Sequence, residues 1–308
     1  MPVAASSLQR SQKIGYFCAN LVLRVVIGGI KLVPYRWRVP LMGRLVRLFA
    51  PIVGFNKRVR RNLALARPDL SPQDVDQICR DVADNVGRTA IELYSGTPFL
   101  ERAHAAELHG PGLEALDQAR EAGRPVILVT GHFGNYDAAR ANLIARGHKM
   151  GALYRRMKNP YFNAHYVETI SSIGTPMFEQ GRRGMVELVR HLKSGGIVAI
   201  VADLHVQGGN EIDFFGHPAL TSFVPAEMAM KYDAALIPVY GIRKENGLDF
   251  KIVLQEPIPH SDPETMTQSI TTQLEMLIRE HMGQWFWIHR RWKRWQDRGV
   301  RPEDWPDF

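Results

Sequence analysis

The clearest hydrophobic feature is a four-residue apolar run, Val126-Ile-Leu-Val129, which is the pattern of a buried strand. Thr130 and Gly131 end it, and helix-compatible sequence, Asp137 to Arg146, begins a few residues on. Four further segments read as strands: Met150 to Tyr154, Ile197 to Val201, Ala235 to Tyr240 and, by alternation, Asp249 to Leu254. A helix is predicted from Ser71-Pro72 to about Tyr94. Ser71 can cap it with Asp74 three residues on, and Val75, Ile78, Val82, Val86, Ala90 and Leu93 recur at helical spacing. Leu108 to Gly123 reads as strand, turn and helix; Tyr161–Ile173, Gly181–Lys193, Thr221–Lys231 and Glu264–Met282 read as helices. A polar loop, Gln207 to Asn210, leads to Asp213-Phe-Phe-Gly216. Strands alternating with helices predict an α/β fold, a central mixed sheet flanked by helices.

The N-terminus follows another pattern. Ile14 to Ile30 is mostly apolar but interrupted by Asn20 and Arg24, at the short limit for a membrane span, and a mid-span arginine is costly. Lys31-Leu-Val-Pro-Tyr-Arg-Trp-Arg follows rather than a small-residue cleavage site, which argues against a signal peptide. A membrane-associated helix is expected, spanning the bilayer or lying in its interface, and continuing into an amphipathic piece around Pro40 to Val53. The alternative is a core helix of a soluble domain. The expected organisation is a basic, apolar helical region over residues 1–62, an α/β domain over 63–295 and a loose tail over 296–308.

Charge sharpens this division. Thirteen of the 39 Lys and Arg residues lie up to Arg67, where there is no Asp or Glu; the other 26 face 31 acids, a formal −5 in a chain of net +8. Such a region suits nucleic acid or an anionic membrane. Basic residues interleaved with large apolar ones, as in Leu41-Met-Gly-Arg-Leu-Val-Arg-Leu-Phe49, favour the membrane, and no nucleic-acid partner is expected. The two cysteines, Cys18 and Cys79, do not suggest a disulfide framework, and no structural-zinc spacing occurs, so neither a metal nor another cofactor is expected.

The candidate chemistry lies in Thr130-Gly-His-Phe-Gly-Asn-Tyr-Asp137. Ligands of open α/β sheets bind beyond the carboxyl ends of strands, and a histidine with a carboxylate there suits a general base and its orienting group. Positions i and i+5 are about 140° apart on a helix, so His132 and Asp137 meet only if the histidine sits in the turn and the aspartate in the helix's first turns. Glycines 131 and 134 free the turn's backbone, whose N–H groups are candidate oxyanion donors. The competing reading is that His132 caps a helix and Asp137 complements its positive end. No Gly-x-Ser-x-Gly elbow occurs, so a serine nucleophile is not indicated.

His132-x4-Asp137, Tyr154-Arg155 with Lys158-Asn159-Pro160, Asp203, Gly208-Gly209 ahead of Phe214-Phe215-Gly216, Thr221, and Gln284-Trp-Phe-Trp-Ile-His-Arg-Arg-Trp-Lys293 stand in the order seen in the lysophospholipid acyltransferase superfamily. Within it, the chain resembles the bacterial lipid A late acyltransferases, the lauroyl and myristoyl transferases. The resemblance implies transfer of a fatty acyl chain from an acyl carrier protein thioester to a hydroxyl of a lipid A precursor at the cytoplasmic face of the inner membrane. It assigns catalysis to His132, Asp137 and Arg155, and substrate contacts to Asn135, Tyr154, Asn159, Asp203, Gly209, Phe215 and Thr221. Two positions depart from the family's habit: Asp137 replaces a Glu, and Asp203-Leu204 replaces an Asp-Gln pair. The alternatives are an acyl-CoA-dependent transferase for another glycolipid or lysophospholipid, and a non-catalytic membrane-binding protein. The C-terminal Trp and Arg cluster is read as an interfacial aromatic belt, against a packed, cation–π-rich edge.

Overall fold

The computed structural model describes residues 9–293. In chain order it contains α1 (Arg10–Lys31), α2 (Tyr35–Phe49), α3 (Phe55–Ala66), α4 (Pro72–Leu93), α5 (Thr97–His104), β1 (Glu107–His109), α6 (Gly112–Glu121), β2 (Val126–Thr130), α7 (Tyr136–Ala145), β3 (Met150–Tyr154), α8 (Pro160–Ile173), β4 (Met177–Glu179) and α9 (Arg182–Lys193). It continues with β5 (Ile197–Val201), β6 (Asn210–Phe214), β7 (His217–Thr221), α10 (Val224–Tyr232), β8 (Ala235–Arg243), β9 (Phe250–Leu254), α11 (Pro263–Glu280) and a short 3-10 turn, Met282–Gln284.

The fold is α/β. A seven-stranded sheet runs in the order β1-β9-β8-β2-β5-β3-β4, parallel except where β8 meets β9. Every residue of β2 and β8 is buried, which is why both read as continuous apolar runs rather than alternating ones. The chain leaves β2 through α7 for β3, passing over β5, while β8 flanks β2 on its other side. That places a crevice at the carboxyl end of β2, where ligands of open α/β sheets sit.

The α4 helix starts as its sequence predicts, with Ser71 Oγ accepting the Asp74 N–H at 3.2 Å. It packs closely on α2 because Gly43 and Gly87 let the backbones approach: a methyl on either would overlap Asp84 or the Met42 carbonyl. At the N-terminus α1 is 22 residues long, five more than its apolar stretch, and is almost wholly exposed. It is long and apolar enough to cross a membrane.

Several elements differ from the sequence expectation. The Asp213-Phe-Phe-Gly216 stretch lies in an antiparallel hairpin, β6–β7, whose two-residue turn places Phe215 at φ +56° and Gly216 at φ +75°. Positive φ at both positions is the I′ geometry that follows strand twist, but phenylalanine is not among its usual residues, so the signal was hidden. Thr221 accordingly ends a strand, and the helix expected from it begins three residues later. The basic run Asn56 to Arg61 is part of α3, and α5 and the three-residue β4 had no distinct pattern. The expected tail, 296–308, lies outside the described residues.

Candidate active site

Thr130 of β2 pairs with Val201 of β5, so two residues beyond the sheet His132 and Asp203 face each other. His132 accordingly meets Asp203 twice: ring Nδ1 lies 2.8 Å from Oδ1, and the backbone N–H donates to Oδ2 at 2.8 Å. The Trp285 indole N–H also donates to Oδ2, at 2.8 Å. Asp203 is buried, and burial opposes its charge, yet the imidazole beside it and these hydrogen bonds hold its carboxyl below the usual carboxylate range. With Nδ1 engaged, Nε2 is the ring nitrogen left to take a proton.

The carboxylate on His132 is therefore Asp203. Asp137 lies in the first turn of α7 with Oδ1 accepting from Arg140 Nε at 3.0 Å, while the same guanidinium donates to the Ile170 and Gly174 carbonyls. Asn135 caps α7 by accepting the N–H groups of Asp137 and Ala138. Its amide donates to Glu92 Oε2 at 2.8 Å, and Glu92 is paired in turn with Arg243 in a fully buried bridge. Thr89 and Asn85, one and two turns earlier on α4, hold the Gly134 carbonyl. The turn's other side lies on β8. A methyl on Gly134 would overlap the Gly241 carbonyl, and one on Gly241 would overlap that of Asn135.

These contacts consume the amides once expected to serve an oxyanion. The N–H groups of Phe133, Gly134 and Asn135 donate to the carbonyls of Gly131, Gln284 and Gly241. The C-terminal segment seals the arrangement: Phe286 N–H donates to the His132 carbonyl, and Phe133 and Trp285 form a β-bridge. Its tryptophans Trp285, Trp287 and Trp292 are buried, packed on Phe214 and Phe215, and do not form an interfacial belt. Arg291 is buried too, donating to the Leu220 carbonyl at 2.7 Å and to Thr221 Oγ1 at 2.5 Å.

Two cavities meet at His132. One, of about 540 Å³, is almost wholly apolar and runs between α1, α2, α4 and α8, with Val26, Ile27, Met42, Leu93 and Phe162 in its wall. The other, of about 310 Å³, is more polar and carries Tyr154, Arg155, His205 and His289. His132, Tyr136, Asp137 and Tyr166 border both. The remaining expected contact residues lie elsewhere. Asn159 caps α8 and donates to the Tyr16 carbonyl of α1 at 2.8 Å; Gly209, Phe215 and Thr221 belong to the hairpin region packed on the C-terminal segment. Among the described residues no cluster of His, Cys, Asp or Glu could hold a metal ion.

Sequence reasoning had no means of finding Glu92 and Arg243, whose pairing spans 151 positions. Trp285 stood inside a recognised cluster, but its tie to Asp203 depends on the chain's return to the β2 end.

The profile of the bacterial lipid A biosynthesis acyltransferases matches residues 6–294, nearly the entire chain. The chain belongs to that family. It is an O-acyltransferase. The chain is similar to the lipid A biosynthesis myristoyltransferase of Escherichia coli K12, 21% identical over 287 residues that cover 90% of this chain and 87% of the relative. Lipid A biosynthesis acyltransferase 2 of Shigella flexneri is also 21% identical, covering 85% of this chain and 86% of that one. A phosphatidylinositol mannoside acyltransferase of Mycobacterium tuberculosis is 26% identical over 247 residues, 78% of each chain.

Proposed function

We propose that this acyltransferase moves a fatty acyl chain from an acyl carrier protein thioester to a hydroxyl of a lipid A precursor, with His132 as general base. The observation that carries the reading is an imidazole at the junction of an apolar and a polar cavity, its Nδ1 engaged by a buried carboxylate. An acyl chain suits the first cavity and a charged headgroup or donor arm the second. A lipid hydroxyl is a poor nucleophile near neutrality, so Nε2 takes its proton as the oxygen attacks the thioester carbonyl. The C–S bond then breaks and the imidazolium returns the proton to the leaving thiolate. Asp203 fixes the ring and stabilises its charged form. Asp137 adds negative charge on the wall shared by the cavities, and Arg155 faces substrate phosphate.

Membrane association fits this substrate. Besides the exposed apolar α1 there is the α2–α3 corner, where Leu48, Phe49, Ile52 and Val53 are all more than half exposed and the exposed Arg44, Arg47, Lys57 and Arg58 flank them in sequence. Exposed apolar side chains flanked by cations suit an anionic leaflet, and the positive N-terminus favours the cytoplasmic face of the inner membrane. A second reading, transfer to another glycolipid or a lysophospholipid from acyl-CoA, has partial support, for its glycolipid acceptor, in the mycobacterial relatives, which are phosphatidylinositol mannoside acyltransferases by name. Mass spectrometry of lipid A and phospholipids from cells lacking the protein separates the two. Loss of one acyl chain from lipid A, restored by the wild-type protein and not by His132→Ala, is expected; unchanged lipid A with an altered phospholipid or other glycolipid overturns the first reading.

A further inference from the structure

Acyl transfer at His132 passes through a tetrahedral species whose former carbonyl oxygen carries negative charge, and a donor must meet it. The His132 turn has little backbone to offer: the N–H groups of residues 132 to 135 bond to Asp203, Gly131, Gln284 and Gly241, and those of Asp137 and Ala138 bond to Asn135. Arg140 is committed to Asp137 and two carbonyls. Arg155 borders the polar cavity but not the apolar one. Only Tyr136 and Tyr166 join His132 and Asp137 in bordering both.

We propose that the Tyr136 hydroxyl is the oxyanion donor of this reaction, a catalytic group acting beside His132. Tyr136 is the first residue of α7, four positions past the base, and its ring meets the imidazole edge-on with centroids 5.6 Å apart. Its hydroxyl makes no hydrogen bond to another described residue, although the phenol is held in the site. Burial, reinforced by the Asp137 charge, raises its pKa well above the ordinary value, so it remains a donor throughout the working pH range. Tyr166 lacks the contact with His132 and packs instead near Tyr154, at 6.5 Å.

The step balances without a further reactant. As the acceptor oxygen bonds to the thioester carbon, its proton passes to His132 Nε2 and the carbonyl π pair moves onto oxygen, which accepts a hydrogen bond from Tyr136. On collapse the carbonyl re-forms, the C–S pair leaves with sulfur, and Nε2 protonates the thiolate. Tyr136 keeps its proton throughout.

The inference rests on the proposed function, and the experiment keeps the two apart. Acyl transfer and thermal stability are measured for the full chain in membranes, as wild type, Tyr136→Phe, Tyr166→Phe and His132→Ala. Removing one oxyanion donor costs roughly 10²- to 10³-fold in kcat, so Tyr136→Phe is expected to lose that much while donor KM and Tm stay near wild type. A Tyr166→Phe enzyme that loses more in kcat than Tyr136→Phe overturns the assignment to Tyr136. A Tyr136→Phe enzyme with near-normal kcat, or one impaired only in KM, overturns the assignment to Tyr136 while an inactive His132→Ala leaves the base reading standing. An active His132→Ala overturns both.

Discussion

The Asp203 carboxylate, two residues past the end of β5, holds three donors from two distant segments, and this makes its charge cheap to keep. Asp203→Asn keeps the shape but presents an amide to Nδ1, and it is expected to lower kcat about 10²- to 10⁴-fold with little change in donor KM. Steady-state kinetics in membranes check this. Burial pushes His289 down to about 4 from 6.5; Asp203 pulls it the other way, and Arg291, His132 and His205 push it further down. Native His289 therefore resists a proton that the unfolded chain accepts, so the stability it contributes is complete above about pH 6.5 and is lost as pH falls towards 4. Burial lowers His148, His165 and His281 in the same direction, whereas the loss from Asp203 belongs below its ordinary 3.8. Thermal melts from pH 7 to 4 are expected to show a fall in Tm that His289→Gln flattens. His132 and Asp137 were legible as a turn residue and a helix-start residue. Their separation into one ring held by Asp203 and one carboxylate held by Arg140 was not, because i to i+5 spacing cannot report a carboxylate 71 positions away.

At the scale of elements, α4 and β8 clamp the turn between β2 and α7 from opposite sides. The Asn85 and Thr89 contacts act from α4, the close backbone approach at Gly134 and Gly241 acts from β8, and the Glu92–Arg243 bridge ties the two elements together. Gly241→Ala is expected to destabilise the fold by about 1–3 kcal/mol through overpacking and to reduce activity further by displacing Asn135; chemical denaturation and transfer assays on one preparation test it. The α/β alternation, β2, β3, β5 and the α4 helix were readable because apolar runs and a Ser71 cap are local signals. The β6–β7 hairpin was not, because its turn uses Phe215 at positive φ, and the C-terminal tryptophans looked interfacial because their burial depends on that hairpin.

Over the whole molecule, positive charge and exposed apolar side chains gather at one end of the sequence, while the core beyond Arg67 is formally acidic. Replacing Leu48, Phe49, Ile52 and Val53 together by Ser is expected to weaken binding to anionic vesicles and leave Tm near wild type, since all four are exposed. Deletion of the residues before Leu32, which removes the exposed α1 and leaves α2 and α3 packed on the core, is expected to weaken the hold on membranes further; vesicle sedimentation at low and high salt reads both. Charge asymmetry made this face legible from sequence, whereas the apolar cavity is formed by α1, α2, α4 and α8 together and no single segment announces it. The central claim is that His132 at the junction of the two cavities is the base for acyl transfer. Its most direct test is transfer from an acyl carrier protein thioester to a lipid A precursor in purified membranes holding equal amounts of wild type and His132→Ala. Product from the wild type alone, with both proteins equally membrane-bound, is the predicted result; comparable turnover by His132→Ala would contradict the account.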